Sequence, residues 1–166
     1  MGSVRQIIGA LVAATLAHAG VWWFRLPPRV ATHFDASGNP DGWMTRDSAL
    51  VTYIGIVALL AIVFVGIGPL IRRFPADMVN VPDKEYWLAP ERREETYRKI
   101  GDAMALLGLL ALALVIGIHE LSFRANLLPQ PHLGNTAWIA MFVFLVGELV
   151  WVVRFLASWS VPDKRP

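Results

Sequence analysis

The sequence predicts an all-α integral membrane protein, a four-helix bundle with one structured, turn-rich extracytoplasmic loop. Three observations predict it. Of 166 residues 55% are apolar and only 17% charged, with a mean hydropathy of +0.49, whereas soluble domains carry roughly a quarter charged residues. Four runs, at 4–24, 50–71, 100–123 and 136–159, each come near the roughly 20 apolar residues that cross a hydrocarbon core. The basic residues between them divide unevenly. Arg5, Arg72, Arg73, Lys84, Arg92, Arg93, Arg98, Lys99, Arg154, Lys164 and Arg165 fall on one side, and Arg25, Arg29, Arg46 and Arg124 on the other. The positive-inside rule then assigns both termini and the 72–99 loop to the cytoplasm and the 25–49 loop to the outside. Trp22, Trp23, Trp43 and Trp138 fall at the outer boundary and Trp87, Tyr97 and Trp159 at the inner one, as aromatic belts. The whole chain is expected to form one membrane domain.

In the first span Gly9, Ala13 and Ala17 recur every fourth position, a small-residue stripe expected to admit a neighbouring helix closely. Arg5, an apolar run and Ala17-His18-Ala19 also imitate a secretory signal. The run continues through Val21, Trp22, Trp23 and Phe24 to a spanning length, which favours an uncleaved helix. In the outer loop Pro27, Pro28, Gly38, Pro40 and Gly42 exclude a long helix. Alternation of Val30, Thr32 and Phe34 with Ala31 and His33 predicts a short extended segment, followed by turns at 37–42. Asp47 or Ser48 is expected to cap the second span. In the cytoplasmic loop Pro75 and Pro82 interrupt the first half, and a helix is expected from Pro90 onward, running into the third span with Glu94–Arg98 and Glu95–Lys99 pairs along it. Tyr86 and Trp87 suit the headgroup layer, and with Arg92 and Arg93 they form a candidate surface for anionic lipid or a cytoplasmic partner.

Cysteine is absent, so thiol chemistry and disulfides are excluded. The polar residues of the predicted spans singled out as candidates are His18, His119, Glu120 and Glu148. Glu148 falls near mid-bilayer, where an unpaired charge costs several kcal/mol, and His18 at comparable depth is its expected partner. The His119-Glu120 pair opens an H-E-L-S-F string in which Phe123 stands where a zinc protease needs its second histidine, so that reading fails. The pair lies toward the outer end of its span, within reach of the His33 loop. Asp35, Ser37, Asn39 and Asp41 alternate as calcium ligands would, but Pro40 and Arg46 occupy the positions that need Gly and Glu. His33 beside Asp35 fits a metal ligand, a pH-sensitive contact or a bond within its own loop. No phosphate loop, nucleophile elbow or Ser/His/Asp constellation is visible, so no catalytic residue, cofactor, metal or nucleic-acid partner is expected.

The stretches LPPRVATHFDASGNPDGW and NVPDKEYWLAPERREET together resemble a bacterial family of small multi-span membrane proteins that includes the immunity protein against the sporulation-delaying toxin. Leu26, Pro27, Val30, His33, Phe34, Asp35, Gly38, Pro40, Asp41 and Gly42 match the loop of that family. Pro28, Ala31, Met44 and Arg46 depart from it. The resemblance implies a protein of the bacterial cytoplasmic membrane that recognises a peptide or small ligand without catalysis. The outer-loop residues His33, Phe34, Asp35, Asp41 and Trp43 are its expected contacts. Membrane lipids, a protein or peptide partner, and a second copy of the chain are the expected associations. Two other readings stay open: an accessory subunit of a larger membrane complex, and a transporter or enzyme built on Glu148.

Overall fold

The computed structural model describes residues 2–161. It is a four-helix membrane bundle, with α1 at Gly2–Trp23, α2 at Arg46–Ile71, α4 at Arg93–Ala125 and α5 at Asn135–Ala157, all long and apolar enough to cross a membrane. A hairpin of β1 (Arg29–Phe34) and β2 (Pro40–Thr45) joins α1 to α2. A 3-10 turn at Ala76–Met78 and the one-turn helix α3 (Lys84–Trp87) lie between α2 and α4. Lys164 and Arg165, counted in the charge asymmetry, lie outside the described residues.

The centre of the bundle is α1, α2 and α4, while α5 packs mainly against α4. From α1 the buried side chains are Ile8, Thr15, Ala19 and Trp22, which meet Tyr53, Val57 and Ala61 of α2 and Leu112 and Phe123 of α4. The small stripe is not at this interface: Gly9, Ala13 and Ala17 are exposed, and a Cβ added at Gly9 would meet nothing within 4 Å. Turning Ile8 and Trp22 inward buries far more apolar surface than glycine and alanine could. Close approach occurs between α2 and α4 instead. A Cβ on Gly101 would lie 3.0 Å from the Gly68 Cα, and one on Gly108 would lie 2.4 Å from the Phe64 Cβ. Glycine at these positions lets the two helices touch through backbone.

The extended segment expected at Val30 to Phe34 is the first strand of the antiparallel hairpin, whose register pairs Arg29 with Thr45 and His33 with Gly42. A Cβ on Gly42 would fall 2.7 Å from the His33 Cβ, so glycine is needed opposite that histidine. Strand β2 runs straight into α2, and for that reason the helix cap is Thr45 rather than Asp47 or Ser48. Its side chain accepts the Ser48 N–H at 3.2 Å. At the other end, α4 starts at Arg93, after a turn in which the Arg92 N–H donates to the Ala89 carbonyl. It then continues unbroken through the predicted third span.

Candidate functional site

At the hairpin end of the bundle, α1, α2 and α4 bring five polar side chains into one network. Glu120 is its centre. Its Oε2 accepts from Trp22 Nε1 at 2.8 Å and lies 2.9 Å from His18 Nε2, and its Oε1 accepts from Arg124 Nε. Tyr53 Oη lies 3.2 Å from His18 Nδ1. One assignment of protons fits most of these contacts: Tyr53 donates to His18 Nδ1, His18 Nε2 donates to Glu120, and the carboxylate balances Arg124; Trp22 Nε1, which also lies 3.0 Å from His18 Nε2, then gives its proton to Glu120 alone. The expected Glu148–His18 bond is therefore not formed. His18 and Trp22, one turn apart on α1, both point at α4, and α4 presents Glu120 there. Phe123 closes the network, its ring 5.5 Å from that of Trp22 and 6.1 Å from that of His18.

His119 stands beside this network and is bound differently. Its ring stacks on Tyr53 at 4.4 Å, and its Nδ1 donates to the Val115 carbonyl at 2.8 Å. With Nδ1 carrying the proton, the neutral ring offers Nε2 as an acceptor. That nitrogen has no hydrogen-bond partner among the described residues and is not among the occluded atoms. His119 lines a cleft of about 360 Å³ bounded by the hairpin, α2 and α4. Met44, Ala49, Ile56, Ile118 and Phe123 form apolar walls, while Thr32, Thr52, Ser122, His33 and His119 supply polar groups. The three hydroxyls make no side-chain hydrogen bond among the described residues. An apolar enclosure with a few convergent polar groups is the usual form of a small-molecule or peptide-side-chain site. The His119-Glu120 pair thus does approach the His33 loop, with Glu120 turned to the network and His119 to the cleft.

The hairpin roofs this cleft because it is fastened at two points. Asn126, at the end of α4, accepts the Ala31 N–H at 2.7 Å and donates to the Ala31 carbonyl at 3.0 Å, pairing with β1 as a neighbouring strand would. At the tip, Gly38 has φ +84°, and its carbonyl accepts the Leu133 N–H at 2.9 Å. Phe34 is buried against Ala125, Leu133 and Ala137 and so anchors the hairpin from below. Asp35 serves the turn, its Oδ1 accepting from Ser37 N and Asn39 N at 2.9 and 2.8 Å. The Asn39 backbone N–H, chief among these donors, holds the Asp35 carboxyl below its ordinary pKa. His33 and Asp41 form an exposed hydrogen-bonded pair at the cleft mouth, and Trp43 is partly exposed beneath Arg29, whose guanidinium carbon is 5.1 Å from the ring.

At the opposite end, the candidate cytoplasmic residues divide. Trp87 Nε1 donates to the Trp159 carbonyl at 2.9 Å, and Lys99 Nζ lies between the two indoles, 4.4 and 4.2 Å from their centroids. Arg93 Nε reaches the Leu88 carbonyl at 3.4 Å. Trp87 and Lys99 thus tie the connector and α4 to the end of α5, whereas Arg93 bonds within the connector. Tyr86 and Arg92, stacked at 4.0 Å, remain at a surface concavity. Glu148, on α5, is remote from the network, and its Oε1 is occluded without a partner. Among the described residues no group of three or more His, Cys, Asp or Glu is placed to hold a metal.

Sequence reading missed Tyr53, Trp22, Thr52, Ser122 and Asn126. The spacing of Trp22 four residues after His18 was a usable signal; Tyr53, Thr52 and Ser122 carried none, and Asn126 was hidden in what read as a connector. No curated protein and no solved structure matches the chain. Residues 10–57, which carry His18, Trp22, the hairpin, Thr52 and Tyr53, match the family described as Domain of unknown function (DUF1648).

Proposed function

We propose that this is a non-enzymatic membrane protein that recognises a peptide or small amphipathic ligand in the cleft beneath the hairpin. The observation that carries the reading is the cleft itself, where apolar walls enclose an unpartnered imidazole acceptor and three uncommitted hydroxyls. Such polar groups would cost free energy if covered by lipid alone, and a ligand with a hydrogen-bond donor on an apolar body would use them. The exposed His33–Asp41 pair gives the mouth a polar rim. The distribution of basic residues supports a cytoplasmic-membrane protein with the hairpin outside and both termini inside.

The immunity-like form of this reading predicts that the chain protects a sensitive strain challenged with the sporulation-delaying toxin. Thr52→Trp, which fills the cleft from α2, should abolish protection at unchanged membrane abundance. Full protection by the filled variant would overturn the cleft as the recognition site. Absence of protection by the unaltered chain would overturn the immunity-like form.

A further inference from the structure

The cleft under the hairpin is one-sided in its charge and in its hydrogen-bonding groups. Arg25, Arg29, Arg46 and Arg124 lie at this end of the bundle, and none of them lines the cleft. The first three lie over the indoles of Trp22, Trp43 and Trp23, with guanidinium carbons 5.9, 5.1 and 4.3 Å from the ring centroids. Arg124 is bonded to Glu120. The charged group bonded to the lining is instead the Asp41 carboxylate, which accepts from His33 Nδ1. Both cleft histidines have thus committed their Nδ1–H to the protein, His33 to Asp41 and His119 to the Val115 carbonyl. Each neutral ring has only an acceptor, Nε2, left to offer. Neither Nε2 has a hydrogen-bond partner among the described residues. Thr32, Thr52 and Ser122 add hydroxyl oxygens that accept as readily as they donate. A carboxylate or phosphate would meet no cation here and would face two imidazole lone pairs.

We infer that the cleft selects a primary ammonium carried on an apolar body, with His119 Nε2 as its principal acceptor. An ammonium has three N–H donors and no acceptor, the complement of this lining. Two hydroxyls stand close to His119: Ser122 follows it by three residues on α4, and Thr52 precedes Tyr53, whose ring stacks on that imidazole at 4.4 Å. Met44, Ile56 and Ile118 provide apolar wall for the rest of the ligand. The Asp41 carboxylate at the mouth lowers the cost of drawing a cation out of water. The inference rests on the cleft's being the recognition site and adds the charge and donor group of what it recognises.

The test uses the full chain in phosphatidylcholine nanodiscs at neutral pH. Binding is read from the saturable shift in unfolding temperature with three probes of one chain length, octylammonium, octanol and octanoate, and the Thr52→Trp chain gives the background of partition into lipid. Octylammonium should bind at least about tenfold tighter than octanol, and octanoate should not exceed the background. His119→Phe, which keeps an aromatic ring on Tyr53, should bring octylammonium to the level of octanol. Equal binding of the three probes, a preference that survives His119→Phe, or no saturable binding of octylammonium would overturn the inference and leave the cleft standing as a recognition site. Binding of all three that is indifferent to Thr52→Trp would overturn the cleft as well. Phosphatidylethanolamine added to the disc separates two sources of the ammonium: a fall in octylammonium affinity assigns the site to that headgroup, and an unchanged affinity assigns it to a diffusible amine.

Discussion

Replacing Asn126 by leucine, a side chain of similar size, removes a two-way bond to Ala31 and leaves the backbone around it in place. Ala31 is 0% exposed, so neither its N–H nor its carbonyl can turn to water once Asn126 Oδ1 and Nδ2 are gone. Each orphaned backbone group costs about 1–3 kcal/mol. The third bond, to the Ser122 carbonyl, matters less, because that oxygen still accepts the backbone N–H of residue 126 at 3.1 Å. Allowing for the added apolar contact of leucine, Asn126→Leu should cost about 3 kcal/mol, near the upper end for single substitutions. Asn126→Asp keeps the acceptor for the Ala31 N–H and loses only the donor, so about half that loss is expected. Reversible unfolding in mixed micelles gives the free energies, and hydrogen exchange at the Ala31 amide gives the local opening. A loss below about 1 kcal/mol, with Ala31 still protected, would refute the claim that Asn126 holds the hairpin over the cleft.

Other positions give independent checks. Gly38→Ala places a Cβ 2.3 Å from the Leu133 carbonyl oxygen at φ +84°, and the melting temperature should fall as the tip contact breaks. Tyr53→Phe deprives His18 Nδ1 of its donor and should cost about 1–2 kcal/mol, measured in the same unfolding assay; an unchanged stability would contradict the proton assignment. The carboxyl of Asp35 has its pKa lowered by folding, so its contribution is complete above the ordinary carboxylate pKa of about 4 and disappears as pH falls through the lower folded value. Hairpin protection in hydrogen exchange should therefore be flat from neutral pH to about 5 and decline below about 4, and Asp35→Asn should flatten that decline.

Span-scale hydropathy made the four helices readable, since a run of apolar residues long enough for a bilayer has few other solutions. Alternation likewise made the extended segment at Val30 to Phe34 readable, but Pro40 and Gly42, expected in turns, lie in the second strand β2, whose pairing with β1 local turn chemistry did not reveal. Rotation of each helix about its axis was not readable. When nearly every residue on α1 is apolar, the small stripe at Gly9, Ala13 and Ala17 is no more inward-pointing than Ile8, Thr15 and Trp22, and polar pairing decides the matter. The same ambiguity led to Glu148 as the partner of His18, because depth along a helix says nothing about which way a side chain faces. Glu120, toward the hairpin end of α4, is the carboxylate that meets both His18 and Trp22. Asn126 escaped notice because its role depends on where β1 passes α4, a long-range contact with no local signature.

A photo-cross-linking amino acid in place of Met44, which is exposed and lines the cleft, would sample the cleft's occupant directly in intact membranes. Recognition in the cleft predicts a discrete adduct of defined mass, a peptide or small amphiphile, that disappears when Thr52→Trp is added. Adducts that consist only of the bulk phospholipids, in proportion to their abundance and indifferent to Thr52→Trp, would contradict it.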